Sequence, residues 1–126
     1  MSTILIVEDN EKNMKLVRDI LQHQGHATLE AASGADGVRL ALEQRPDLIR
    51  MDIQLPEIDG MEALRQIRGQ SALDTTPVLA ISASVMPDEH QTIVSSGFDA
   101  FIIKPIELKQ FRETVQRFLT HGRKRP

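Results

Sequence analysis

Five side chains that could together carry out phosphate chemistry are spread along the sequence, each at the end of a short apolar run. They are Glu8, Asp9, Asp52, Ser82 and Lys104. Three carboxylates that lie close together repel one another unless a cation joins them. Hard oxygen donors without His or Cys suit Mg²⁺, which keeps several waters for phosphate oxygens. The sequence therefore predicts a metal-assisted phosphate site, in which a carboxylate can be the nucleophile and a lysine and a hydroxyl can bind phosphoryl oxygens.

The apolar runs that position these side chains are typical of buried parallel strands. Most are continuously apolar and rich in β-branched residues, as strands covered on both faces tend to be. We predict five strands, over residues 3–7, 27–30, 47–51, 77–81 and 100–103.

Amphipathic stretches between the runs are typical of helices. Asn10 and Ser33 are expected to cap the first two helices, and Gly25 and Gly97 stand where helices should end. Residues 88–96 predict a weaker, more polar helix. The apolar stripes of the other four helices contain Met14, Leu16, Val17, Ile20 and Leu21; Val38, Ala41 and Leu42; Met61, Leu64 and Ile67; and Leu108, Phe111, Val115, Phe118 and Leu119.

Five strands that alternate with five helices predict an α/β fold with a doubly wound parallel sheet and right-handed crossovers. Ligands of such sheets bind beyond the carboxyl ends of the strands. The five chemically capable side chains follow those ends, so the fold is expected to bring them to one edge of the sheet.

Length and composition limit the other possibilities. A chain of 126 residues that is 40% hydrophobic is expected to form one domain, over residues 1–121, with a basic tail over 122–126. A net charge of −3 and the lack of Trp and Tyr argue against a nucleic-acid surface. The lack of Cys excludes disulfides and thiolate sites. With no leader-like segment or long apolar run, a cytoplasmic protein without a membrane span is expected.

Each candidate residue also has an ordinary structural explanation. Glu8 and Asp9 can be acids at a helix N-terminus, and Asp52 can be a turn residue. Ser82 can be a cap, and Lys104 can lie in a solvated loop. Their occurrence at separate strand ends, in the right order, favours a functional site. The four histidines lack metal-ligand spacing and are predicted to lie on the surface.

The motifs around these residues resemble the receiver domain of two-component response regulators, and within that family the single-domain receivers of the DivK type. The motifs are residues 4–10 (ILIVEDN) and 51–56 (MDIQLP), together with Asp59-Gly60, Ser82-Ala83 and Lys104-Pro105. The resemblance covers about residues 3–120. It implies the strand order 2-1-3-4-5 and a protein that accepts a phosphoryl group from a histidine kinase or a phosphotransfer protein.

The resemblance also implies how the phosphoryl group is bound and sensed. Asp52 would be the phosphoacceptor, Lys104 would pair with the phosphoryl group, and Ser82 would hydrogen-bond to it. Ser82 would then move inward and leave space for Phe101, so that the helix over 88–96, the fifth strand and the last helix change their binding of a downstream protein. The bond before Pro105 is expected to be cis.

A metal site is implied in the same way. Asp9 would bind Mg²⁺ directly and Glu8 would act through water, with Asp52 and the backbone carbonyl of Gln54 as further ligands. Mn²⁺ is expected to substitute. Arg50 departs from the family pattern, because an apolar residue is expected at that place in a central strand. Since a buried unpaired guanidinium costs several kcal/mol, we predict that Arg50 has a carboxylate or carbonyl partner.

Rival functions remain open at this point. We expect a binding module without an output domain, monomeric or weakly dimeric, which catalyses only its own phosphorylation and dephosphorylation and acts in cell-cycle or differentiation control. Alternatives are a phosphate-relay intermediate and a motility-type regulator. A Mg²⁺-dependent phosphatase with an aspartate nucleophile would need a second aspartate where Gln54 stands. A flavodoxin-like electron carrier would need Trp or Tyr beside the flavin.

Overall fold

A parallel five-stranded sheet forms the centre of the protein in a computed structural model that describes residues 2–55, 57–82 and 96–122. The strands are Thr3–Val7 (β1), Ala27–Ala31 (β2), Leu48–Asp52 (β3), Val78–Ser82 (β4) and Ala100–Ile103 (β5). Their order is β2-β1-β3-β4-β5, and every neighbouring pair is parallel. The predicted fold class and strand order are confirmed.

Two strands lie one residue later than predicted, and the shift concerns the candidate site. β3 ends on Asp52 and β4 ends on Ser82, because both residues are still paired with the next strand, Asp52 with Ile81 and Ser82 with Ile103. The two side chains therefore stand on the last residue of a rigid strand.

Four α-helices occur in the described ranges, and a short 3₁₀ helix spans Ser71–Leu73. Asn10 and Ser33 cap the first two helices as predicted, since their side chains accept hydrogen bonds from the backbone N–H groups of Asn13 and Asp36. All but the last residue of the predicted helix over 88–96 lies outside the described residues, as does most of the predicted basic tail. The α-helices are Glu11–His23 (α1), Gly34–Gln44 (α2), Gly60–Arg68 (α3) and Leu108–His121 (α4).

The sheet is covered on both faces, as its continuously apolar strands require. Helices α1 and α4 pack on one face, where Ile6, Leu48 and Phe111 are fully buried. Helices α2 and α3 pack on the other face, with fully buried Leu5 and Met51 of the sheet. No helix within the described ranges is long and apolar enough to span a membrane.

Some side chains of the predicted helix stripes lie outside the core. Leu16, Leu42 and Leu108 are 50%, 36% and 48% exposed. Leu16 and Leu42 directly neighbour the buried Val17 and Ala41, and the rotation of about 100° per residue turns them away from the sheet. Leu108 is the first residue of its helix. The inward stripes are therefore narrower than the sequence predicts.

His26 is another departure from the sequence prediction, because this histidine is half-buried rather than on the surface. Both ring nitrogens are buried without a hydrogen-bond partner in the described structure. Burial lowers the pKa of the His26 imidazole below its usual value of 6.5. The ring is therefore packed as a neutral group beside the start of β2.

Candidate functional site

Three carboxylates meet at the carboxyl ends of the neighbouring strands β1 and β3. Glu8 and Asp9 directly follow β1, and Asp52 ends the neighbouring β3. One oxygen from each lies within 4.8 Å of the others. Glu8 and Asp52 are each 2% exposed, whereas Asp9 is exposed. The cluster is therefore buried at Glu8 and Asp52 and open to solvent at Asp9.

Lys104 supplies a positive charge to this cluster from beyond the end of β5. Its Nζ lies 2.7 Å from Asp52 Oδ2 and 3.4 Å from Glu8 Oε1. The side chain reaches across the end of β4, which separates β3 from β5 in the sheet. The sequence prediction that Lys104 and the acids converge is matched by this geometry, and the bond between Lys104 and Pro105 is cis as expected.

The second oxygen of Asp52 is bound by the following loop. Asp52 Oδ1 accepts a hydrogen bond of 2.8 Å from the backbone N–H of Gln54. This hydrogen bond and the contact with Lys104 together hold the Asp52 carboxylate in one orientation. The Gln54 side chain is exposed, so its backbone is the part nearest the cluster.

Gly60 is packed against the backbone that carries Asp52. A Cβ at this position would lie 2.6 Å from the Asp52 carbonyl oxygen and 2.7 Å from Ile53 Cα, closer than real Cβ atoms approach. The Gly60 N–H donates to the Ile53 carbonyl at 2.9 Å. Only glycine allows the start of α3 to close over the end of β3 in this way.

Ser82 and Phe101 lie beside the cluster, one strand away. Ser82 is 2% exposed at the end of β4, and its carbonyl accepts a 2.7 Å hydrogen bond from the backbone N–H of Lys104. Phe101 is half-buried and packs against the core on the face of α2 and α3. Ser82 is therefore next to Asp52 and Lys104, and Phe101 is on the adjacent edge strand.

Arg50 is fully buried in the middle of β3, two residues before Asp52. Its Nη1 donates to Glu8 Oε1 at 2.9 Å and to the Val7 carbonyl at 3.5 Å, so the predicted carboxylate or carbonyl partner is confirmed. Burial lowers the pKa of the Arg50 guanidinium, and Glu8 opposes that shift. The sequence did not single out Glu8 as the partner. The strand register explains the pairing, since Arg50 lies opposite Ile6 and side chains alternate along a strand, which places Glu8 on the same face.

Known proteins share both the sequence and the structure of this chain. Residues 4–116 match the family described as "Response regulator receiver domain". The polar-differentiation response regulator DivK of Brucella anthropi is 42% identical over 117 residues, which cover 93% of this chain and 95% of that protein. The DivK protein of Brucella melitensis matches to the same extent.

Two solved structures extend the comparison. The receiver domain of a sensor histidine kinase from Pseudomonas aeruginosa, which has a magnesium ion coordinated in its active-site cleft, superposes with a TM-score of 0.88 at 31% identity and covers 94% of this chain and 98% of that one. The chemotaxis response regulator CheY4 of Vibrio cholerae superposes with a TM-score of 0.87 at 28% identity, over 93% of this chain and 98% of that one. With its acidic cluster, lysine and sheet order, this chain belongs to the family of response regulator receiver domains.

Proposed function

We propose that this chain is a single-domain response regulator that accepts a phosphoryl group on Asp52 from the phosphohistidine of a kinase or phosphotransfer protein. The observation that carries the proposal is the setting of Asp52. Asp52 is 2% exposed, and its carboxylate contacts an ammonium group at 2.7 Å and lies within 4.8 Å of two further carboxylates. A carboxylate held in one orientation beside a fixed positive charge is suited to attack a phosphorus atom.

The phosphoryl transfer forms one bond and breaks one bond. An oxygen of Asp52 forms a bond to phosphorus while the bond between phosphorus and the imidazole nitrogen of the donor breaks, and that nitrogen keeps the electron pair. An acyl phosphate remains on Asp52. Lys104 is already at the attacking carboxylate and can bind a phosphoryl oxygen as charge moves onto it. Ser82 can donate its hydroxyl proton in a hydrogen bond to another phosphoryl oxygen.

The donor set fits Mg²⁺, which prefers oxygen ligands and binds through one or two carboxylates. Asp9 and Asp52 would hold the ion directly, Glu8 would act through water, and Gln54 would offer its backbone carbonyl. Bound there, the ion would neutralise charge on the phosphoryl oxygens. Mn²⁺ would substitute, since carboxylate, carbonyl and water ligands suit it as well.

The output would be a change in protein binding. A phosphoryl group adds a charge of about −1.5 to −2 beside Ser82, and only the contacts it makes in one state and lacks in the other can shift the equilibrium. The signal would pass through Ser82 and Phe101 to β5 and α4, and to the predicted helix over 88–96. The similarity to DivK supports a role in differentiation or cell-cycle control, and the similarity to CheY4 keeps a motility-type regulator as the second candidate.

Further expectations belong to the same proposal. The chain would catalyse only its own phosphorylation and dephosphorylation, and Gln54 stands where a phosphatase of the aspartate-nucleophile type would need its acid. A relay role, in which the phosphoryl group passes on to another histidine, uses the same chemistry. We expect a cytoplasmic monomer or weak dimer that binds no nucleic acid directly.

The proposal is tested by incubating the protein with acetyl phosphate and Mg²⁺ and measuring intact mass. The wild type is expected to gain the mass of one phosphoryl group, and Asp52→Asn is expected to gain none. Asp19→Asn is the matched control, because Asp19 is a 60% exposed carboxylate on α1 that lies outside the cluster. A wild type without the adduct, or an Asp52→Asn variant that gains it, would contradict the proposal.

A further inference from the structure

Arg50 is a charged side chain in a place that the fold makes apolar. β3 is the central strand, and Arg50 stands on it between Ile6 of β1 and Leu79 of β4, both fully buried. Arg50 itself is 0% exposed. A guanidinium stays charged in proteins, so this position carries a permanent positive charge beneath the acidic cluster.

The contacts of the guanidinium point to one member of that cluster. Nη1 lies 2.9 Å from Glu8 Oε1, while Nε and Nη2 are buried without a hydrogen-bond partner in the described part of the chain. Glu8 Oε1 is also 3.4 Å from the Lys104 ammonium. The Glu8 carboxylate, which would otherwise face a metal ion through water, is thus already neutralised from the protein side.

Glu8 is also held by contacts that do not involve Arg50. The second Glu8 oxygen, Oε2, accepts a 3.1 Å hydrogen bond from the backbone N–H of Asn10, and the backbone N–H of Glu8 donates to the Ala31 carbonyl at 3.0 Å. The guanidinium therefore adds mainly charge. It reduces the formal charge of Glu8, Asp9, Asp52 and Lys104 together from −2 to −1, which weakens the attraction for a divalent cation.

We infer that Arg50 is an internal counter-cation that competes with the divalent ion for Glu8, lowers the affinity of the site for Mg²⁺ and stabilises the metal-free fold. The inference rests on the proposed Mg²⁺ site and adds a regulatory property to it. Acceptance of the phosphoryl group then depends on Mg²⁺ concentration over a higher range than it would with an apolar residue at position 50.

The experiment is a titration of the unphosphorylated protein with MgCl₂, followed by two-dimensional ¹⁵N–¹H NMR. Arg50→Met and Arg50→Gln remove the charge, and the glutamine variant keeps a hydrogen-bond donor that can reach toward Glu8. Both are expected to bind Mg²⁺ about 10-fold more tightly, because each removes one positive charge that repels the divalent ion. Arg50→Lys keeps the charge and is expected to bind as weakly as the wild type.

Two further measurements separate this inference from the proposed function. Asp9→Asn is expected to weaken Mg²⁺ binding in either background, and if it does not, the proposed metal site is wrong. Thermal unfolding in EDTA is expected to show Arg50→Met as less stable than the wild type, with recovery when Glu8→Gln is added. If Asp9→Asn weakens binding but both neutral Arg50 variants bind Mg²⁺ with unchanged or lower affinity, the counter-cation role is overturned and the metal site stands.

Discussion

Replacing Gly60 with alanine tests how the loop after β3 holds the phosphoacceptor. The new Cβ would lie 2.6 Å from the Asp52 carbonyl oxygen, and an ordinary contact begins at 3.4 Å, so the two backbone segments must separate by about 0.8 Å. Overpacking of this kind costs about 1 to 3 kcal/mol, and the upper end applies because the opposing atoms are backbone. The smaller conformational freedom of alanine in the unfolded chain returns up to about 1 kcal/mol.

The net loss is therefore about 2 kcal/mol, which for a domain of this size lowers Tm by roughly 8 °C. The displaced strand end also carries Asp52, and a shift approaching 1 Å in a reacting group can slow its chemistry about 100-fold. Thermal unfolding by circular dichroism and the rate of phosphorylation by acetyl phosphate measure the two effects.

Gly69→Ala is the matched control. Gly69 directly follows α3 as its C-cap, its φ is −78°, and a Cβ there would meet nothing closer than 3.5 Å. This variant is expected to keep the wild-type Tm and rate. If Gly60→Ala also keeps both, the close approach of α3 to Asp52 does not position the phosphoacceptor.

Three further perturbations address other parts of the molecule. Arg68 of α3 donates to the carbonyls of Gly97, Leu73 and Thr76 and pairs with Asp99 at 3.0 Å, so Arg68→Met is expected to lower the free energy of unfolding by about 3 kcal/mol in urea titrations. Arg65→Met is the control, because the Arg65 side chain is 73% exposed. An equal loss of unfolding free energy in this variant would refute the stabilising role of the Arg68 contacts. Burial lowers the pKa of His26 in the folded protein. The contribution of neutral His26 to the free energy of unfolding is therefore complete above pH 6.5, and it is lost as the pH falls toward the pKa in the folded state. His26→Gln is expected to flatten this dependence, and an unchanged pH profile of Tm would count against it. Ser82→Ala is expected to leave phosphorylation measurable and to weaken partner binding. If pull-downs show the same partner binding with and without phosphate, in both the wild type and the variant, the proposed role of Ser82 as a switch is wrong.

The edge of the sheet where the site lies could be predicted from the sequence because strand ends are strongly constrained. Glu8, Asp52 and Lys104 each stand at the end of an apolar run, which only Arg50 interrupts. Parallel strands bring their carboxyl ends together whatever the intervening helices do. The contacts of Lys104 with Asp52 at 2.7 Å and with Glu8 at 3.4 Å lie at that edge. The buried pairing of Arg50 followed from the cost of an unpaired charge.

Other features depend on packing that no local pattern records. The exposure of Leu16 and Leu108 depends on how wide a strip of each helix the sheet covers, and hydrophobicity alone predicts a broader strip. The half-buried His26 directly precedes β2, and its burial depends on tertiary packing. The closeness of Gly60 to the Asp52 carbonyl likewise becomes visible only once α3 is placed against β3.

The central claim is that Asp52 receives the phosphoryl group. Its most direct test is to phosphorylate the protein with acetyl phosphate and Mg²⁺, reduce it with borohydride, which converts a phosphorylated aspartate to homoserine, and map the peptides by mass spectrometry. The account predicts homoserine at position 52 alone. Homoserine at Asp9 or at any other aspartate, with Asp52 unchanged, would contradict it.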